Sequence, residues 1–156
     1  MLRDVRQRVT VHLIGLNHGY QLRGSSEMDW AAFDAYLFHF CRVEKTDLVA
    51  EEMSEEGLRL FRDEGATGSV PRDVAMRLGV RHLFCDPDSV ERTRLGIPSG
   101  KEGWAARERR WWQKLREVNF TRCAFVLGAQ HVDRFATLLA SEGIDARTES
   151  KNWEFP

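Results

Sequence analysis

Two Gly-x-x-His tetrapeptides, Gly15-Leu16-Asn17-His18 and Gly128-Ala129-Gln130-His131, stand near opposite ends of this chain. A neutral imidazole binds a transition metal or accepts a proton near neutral pH. Each tetrapeptide follows a short apolar run that reads as a buried strand, Val9 to Ile14 and Cys123 to Leu127. Glycine at a strand end lets the backbone turn without a Cβ penalty, which sets each histidine on a loop past the sheet edge. In open α/β sheets that edge is where sites are built. A third strand-like run, Asp47 to Ala50, ends in Glu51-Glu52. Three strand ends thus carry His, Glu and His. The plainer reading, two loop histidines bonded to nearby backbone, stays open at this stage.

Strand alternation sends Glu51 and Glu52 to opposite faces, so one of them enters a site. Glu51 is preferred because it lies nearer the strand end. A carboxylate there ligates a metal, orients a histidine or acts as a general base. A solvated acidic stretch running on to Glu55 and Glu56 is the alternative. Asp86, after a further strand-like run, is either another carboxylate at this edge or an Asp-Pro turn former. Arg107 shares a helical face with Trp111 at i,i+4. Turned inward, it would neutralise a carboxylate or hold an anionic or carbonyl part of a substrate. Turned outward, it belongs with Arg109 and Arg110 to a solvated face. The candidate catalytic set is therefore His18, Glu51, Glu52, His131 and Arg107. A tentative metal set is His18, His131 and Glu51, for a divalent transition metal. His12, inside a strand, reads as a packed core residue, and His39 and His82 belong to no motif.

These side chains need a scaffold, and strand-like and helix-like segments alternate as in an α/β domain with a mostly parallel sheet of four or five strands flanked by helices. Strands are expected at Val9–Ile14, Asp47–Glu51, Val80–Cys85 and Cys123–Leu127, with a further one from Ile144 to Thr148. Ser26 with Asp29 resembles a helix-opening cap before the apolar periodicity of Trp30 to Cys41. Ser54-Glu55-Glu56 opens a short helix, and Pro71 suits the first turn of another that stops near Gly79. Ser89 to Gly103 is polar and reads as a mobile loop or lid. Helices are expected from Trp104 to Val118 and from Val132 to Ser141, the second ended by Gly143. The tail from Trp153 to Pro156 has no clear assignment.

The 156 residues suggest one α/β domain over 1–156. Apolar residues make up 42% and charged residues 30%, which fits a globular chain rather than a disordered one. No apolar run approaches the ~20 residues needed to span a bilayer, so no membrane partner is expected. The charged segment Met1 to Arg8 has no apolar core of a signal peptide, and the expected location is cytoplasmic. A net charge of −1 argues against nucleic acid as a partner. Cys41, Cys85 and Cys123 are widely spaced and read as buried free thiols. No Walker loop, dinucleotide fingerprint, Gly-x-Ser-x-Gly elbow or Cys-x-x-Cys pair is present, which weakens nucleotide, serine-hydrolase and structural-zinc readings.

Taken in order, Gly15-x-x-His18, Leu48-Val49-Ala50-Glu51-Glu52, Arg107-Glu108-x-x-Trp111 and Gly128-x-x-His131-Val132 resemble the Tiki/TraB superfamily, with its erythromycin-esterase-like and ChaN-like relatives. The resemblance runs from Val9 to about Leu139. It implies an α/β fold with His18, Glu51 or Glu52, Arg107 and His131 converging on one cleft. It also implies metal-dependent proteolysis or lactone opening as activity classes. Two functions are carried forward: a small hydrolase of an ester or amide, working with or without a metal ion, and a non-catalytic ligand-binding or protein-interaction module with a degenerate site. The substrate, a small molecule or a peptide, and the oligomeric state are not legible.

Overall fold

A computed structural model describes residues 8–26 and 28–154. The charged segment read for a leader lies almost wholly outside the described residues, as do the last two residues of the tail. The main sheet is α/β, with five strands in the order β5-β3-β6-β1-β7. Its members are β1 (Thr10–Leu16), β3 (Leu48–Glu51), β5 (Arg81–Phe84), β6 (Arg122–Gly128) and β7 (Asp145–Trp153). Every pairing in it is parallel. A small antiparallel ladder joins β2 (Leu22–Arg23) to β4 (Gly68–Ser69).

Seven α-helices surround the sheets: α1 (His18–Gln21), α2 (Trp30–Glu44), α3 (Glu55–Asp63), α4 (Val70–Leu78), α5 (Ser89–Leu95), α6 (Trp104–Arg116) and α7 (Val132–Ser141). The three central strands, β1, β3 and β6, are covered on both faces and buried along nearly their whole length, whereas the edge strands β5 and β7 are polar and more exposed. Val11, Leu13, Leu48, Ala50, Phe125 and Leu127 pack with Trp111, Leu115 and Phe135 on the α6/α7 side. Ile14, Leu16, Val49 and Val126 pack with Phe33, Leu37 and Val74 on the α2/α4 side. Burying each of these large side chains stabilises the fold by about 1.5–3 kcal/mol. No helix among the described residues is long and apolar enough to cross a membrane. Cys41, Cys85 and Cys123 are buried free thiols. Burial pushes the Cys41 thiol up to about 11 and raises Cys85 and Cys123 further.

Local signals explain most boundaries. Ser54 caps α3 by accepting from Gly57 N, and Pro71 occupies the first turn of α4, which Gly79 closes at φ 67°. Four readings need correction. Asp29, not Ser26, caps α2, its side chain accepting from Ala32 N. Ser89–Gly103 is not a loop: α5 is capped by Asp88 accepting from Glu91 N and closed by Gly96, and a 3-10 turn runs over Gly100–Gly103. The last strand extends to Trp153, whose ring packs on Tyr20, Phe33 and Tyr36. Finally, Gly15 and Gly128 are not turn glycines. Both lie inside strands and neither has a positive φ. A Cβ on Gly15 would collide with the Lys151 carbonyl and a Val132 methyl, and one on Gly128 would press on His18 Nε2 at 3.0 Å. Close approach of the Lys151 backbone, not backbone freedom, demands glycine at 15, while at 128 the neighbours are side-chain ends.

Candidate active site at the carboxyl ends of four neighbouring strands

β1 and β6 are adjacent and in register, Leu16 opposite Gly128, so the histidines after them emerge at one sheet edge. β3 lies beside β6 and β5 beside β3, which adds Glu52 and Asp86 to the same edge. This is the edge the topology favours for ligands. An open cleft of about 320 Å³ lies there, with His18, Glu52, Asp86, Arg92 and Arg107 in its polar wall and Met53, Leu60 and Phe61 in its apolar wall.

Glu52 is the hub. Its Oε1 accepts from Gly128 N at 2.8 Å and lies 3.5 Å from His18 Nε2. Its Oε2 accepts from Arg107 Nη2 at 2.6 Å and lies 3.4 Å from His131 Nε2. One buried carboxylate therefore faces both motif histidines. Glu51, the residue preferred on sequence grounds, is fully buried on the opposite face of the sheet, away from His131. It accepts from Ser69 Oγ and from Gln21 Nε2 and lies 2.7 Å from His82 Nε2. The choice of Glu51 for the metal set therefore does not follow the geometry, because β3 ends one residue before the position that turns toward α6.

Arg107 turns inward as its spacing with Trp111 suggests, and its guanidinium lies 5.5 Å from the Trp111 ring centre. It bonds two carboxylates at once, Glu52 Oε2 and, through Nε at 2.9 Å, Asp86 Oδ1. Burial works against its charge, but Asp86 and Glu52 outweigh burial and raise its pKa further. Its fork is thus engaged by the protein itself. Asp86 is a site carboxylate, not merely a turn former: it also accepts from Trp111 Nε1 and Arg92 Nη2. Arg109 is exposed as expected, whereas Arg110 is half-buried and paired with Glu91.

His131 is fully buried between the edges of Trp104 and Trp111. Its Nδ1 lies 2.7 Å from Glu108 Oε1, and Arg134 bonds the same carboxylate. Burial alone would raise the Glu108 pKa; the bonds from His131 and Arg134 outweigh it and hold the acid below its ordinary value. An ionised Glu108 only accepts, so Nδ1 carries a proton. His131 Nε2 is buried with no hydrogen-bond partner, its contact with Glu52 lacking hydrogen-bond geometry. His18 differs in being about one-third exposed, with Nδ1 2.9 Å from Gln21 Oε1. His12 is a hydrogen-bonded core residue, as expected, 2.7 Å from Glu149.

Sequence reasoning missed Glu108, Gln21 and His82. Glu108 follows Arg107 and was hidden in a cationic run; its i,i+3 neighbourhood with Trp111 was the available signal. Gln21 and His82 had none, since only the fold brings them to Glu51.

The donor chemistry suits a divalent transition ion: two imidazoles with carbonyl or carboxylate partners on Nδ1, and one carboxylate. Two ligands bound to one ion stand roughly 3–3.5 Å apart, as both histidine contacts with Glu52 do. Among the described residues, however, no three such side chains are already gathered at metal-ligand spacing. Glu52 would have to serve the ion and Arg107 together.

No protein-family model, curated protein or solved structure matches the chain.

Proposed function

We propose that this chain is a small hydrolase-like protein acting on an ester or amide, with His18, Glu52 and His131 as the residues that would hold a divalent ion. The observation that supports this is the sharing of one buried carboxylate by the Nε2 atoms of two histidines. The His131 Nε2 atom, fully buried with no hydrogen-bond partner, supports it independently. When bound, such an ion lowers the pKa of water toward neutrality. The chain's own residues do the rest. Gly128 N and Arg107 both donate to Glu52 and aim its carboxylate at the histidines. Arg107, held by Asp86, presents positive charge in the cleft wall, where it would stabilise charge developing on a carbonyl oxygen. Met53, Leu60 and Phe61 offer an apolar surface for the substrate.

A second reading needs no ion. His18 is the histidine that lines the cleft, and its Nε2 would act there as general base. In that version Gln21, not a glutamate, orients the ring. We also propose kinship with the Tiki/TraB superfamily, on the order of the same positions along one sheet edge, and a cytoplasmic home, which suits buried reduced thiols.

The test is turnover of a panel of activated aryl esters and anilides by wild type and Glu52→Gln, each with and without 1,10-phenanthroline. Turnover abolished by the substitution and by the chelator supports the ion-assisted reading. Turnover lost in the variant but indifferent to chelator supports His18 as base. No turnover anywhere overturns the hydrolase reading in favour of a binding module.

A further inference from the structure

We infer that Gln21 is a positioning residue that fixes the His18 ring as the Nδ1–H tautomer and leaves the Nε2 lone pair facing Glu52 and the cleft. The inference rests on the reading of His18 as a functional base or ligand for its consequence, but not for its geometry.

The Gln21 side-chain amide is fully buried. An amide has one accepting end and one donating end, and either can be turned toward a neighbour. Here the neighbours decide. One end of the amide meets Glu51 Oε2 and, at 3.4 Å, the backbone carbonyl of Glu52. A carbonyl oxygen accepts in every protonation state, so the amide must turn its NH₂ that way. Glu51 Oε2 meets the same end of the amide, and Ser69 Oγ donates to the other oxygen of that carboxylate. The oxygen of the Gln21 amide is therefore the end that faces His18, 2.9 Å from Nδ1. An amide oxygen only accepts, so Nδ1 must donate and hold the proton. In the neutral ring Nε2 is then bare. That atom lies 3.5 Å from Glu52 Oε1.

The consequence is a symmetry between the two motif histidines that their sequences do not reveal. Glu108 fixes the proton of His131 on Nδ1, and Gln21 does the same for His18. One device is a direct carboxylate. The other is a carboxylate, Glu51, acting through an amide. Glu51 and His82, which lie across the sheet from Arg107 and His131, thereby gain a role: they hold Gln21 in the orientation that prepares His18.

The test reads the tautomer directly. Ring 15N shifts of His18, followed through a pH titration to about pH 9, report which nitrogen keeps its proton in the neutral form. The expected result is a neutral ring protonated at Nδ1. In Gln21→Leu the lock is gone, and the proton should move to Nε2, where Glu52 Oε1 accepts it. Glu51→Gln frees the Gln21 amide to turn and should shift the population part of the way. A wild-type neutral ring protonated at Nε2, or an imidazolium that persists to the end of the titration, overturns the inference. So does a Gln21→Leu spectrum with the His18 tautomer unchanged. The wild-type measurement stands even if a variant does not fold. None of these readouts depends on turnover, so failure of the hydrolase reading would leave them intact.

Discussion

Glu51 and Glu52 are neighbours in the chain, yet their carboxylates gather different partners on opposite faces of the sheet. Glu52 gathers Gly128, Arg107 and the two motif histidines, while Glu51 gathers Ser69, His82 and Gln21. Strand alternation creates the division, and only the Glu52 carboxylate faces both motif histidines directly. Glu52→Gln should remove ion binding or turnover, because it discharges the atom both imidazoles face. Glu51→Gln should leave ion affinity within a few-fold of wild type, checked by equilibrium dialysis.

The two histidines should respond unequally to deletion. His131→Ala opens a cavity between Trp104 and Trp111 and strips Glu108 of a buried partner. It should lose about 2–4 kcal/mol in urea unfolding. His18 is partly exposed, and His18→Ala should lose less than about 1 kcal/mol while still abolishing function. Equal stability losses would contradict the burial difference.

Much of this fold was legible because parallel strands buried on both faces leave unbroken apolar runs, as in Cys123 to Leu127, and because Ser54, Pro71, Gly79 and Gly143 mark helix ends by known chemistry. The segment after Asp86 misled because its helix is short and has no buried residue, so no apolar periodicity announced it. The site was half legible. The Gly-x-x-His spacing located both imidazoles, but which glutamate meets them depends on where β3 ends, a one-residue question that sequence pattern does not resolve. Gln21 reaches Glu51, and Glu108 reaches His131, through tertiary packing alone.

Arg107 bridges two buried carboxylates with one planar fork. Arg107→Ala removes the guanidinium from Glu52 and leaves Asp86 with Arg92 alone, and should destabilise by roughly 3–5 kcal/mol. Arg107→Lys keeps the charge but cannot span both acids, and an intermediate loss of about 1–3 kcal/mol is expected. Arg109→Lys, on an exposed position, should be silent. Equal unfolding midpoints for the two lysine variants would remove Arg107 from the account.

The glycines give a steric test. Gly15→Ala should destabilise by about 1–3 kcal/mol, because the new methyl meets the β7 backbone. Gly128→Ala presses on His18 and the flexible Gln130 side chain instead, so it should impair the site more than the fold.

Acid should weaken the His131 side of the site. Glu108 has its folded pKa depressed, with burial opposing and His131 and Arg134 together outweighing it. A depressed carboxylate contributes stability that is present above its unfolded value, about 4.3, and is lost as pH falls through the folded pKa. Wild type should therefore lose stability below about pH 4 more steeply than Glu108→Gln. Parallel acid limbs for the two proteins would show that this pairing does not contribute.

The most direct test of the shared-carboxylate site is a cobalt(II) titration of the metal-free protein, followed by visible absorption, for wild type, Glu52→Gln and Glu51→Gln. The account predicts one ion per chain for wild type and Glu51→Gln, with the signal lost in Glu52→Gln. No binding by wild type, or binding that survives Glu52→Gln, would contradict it.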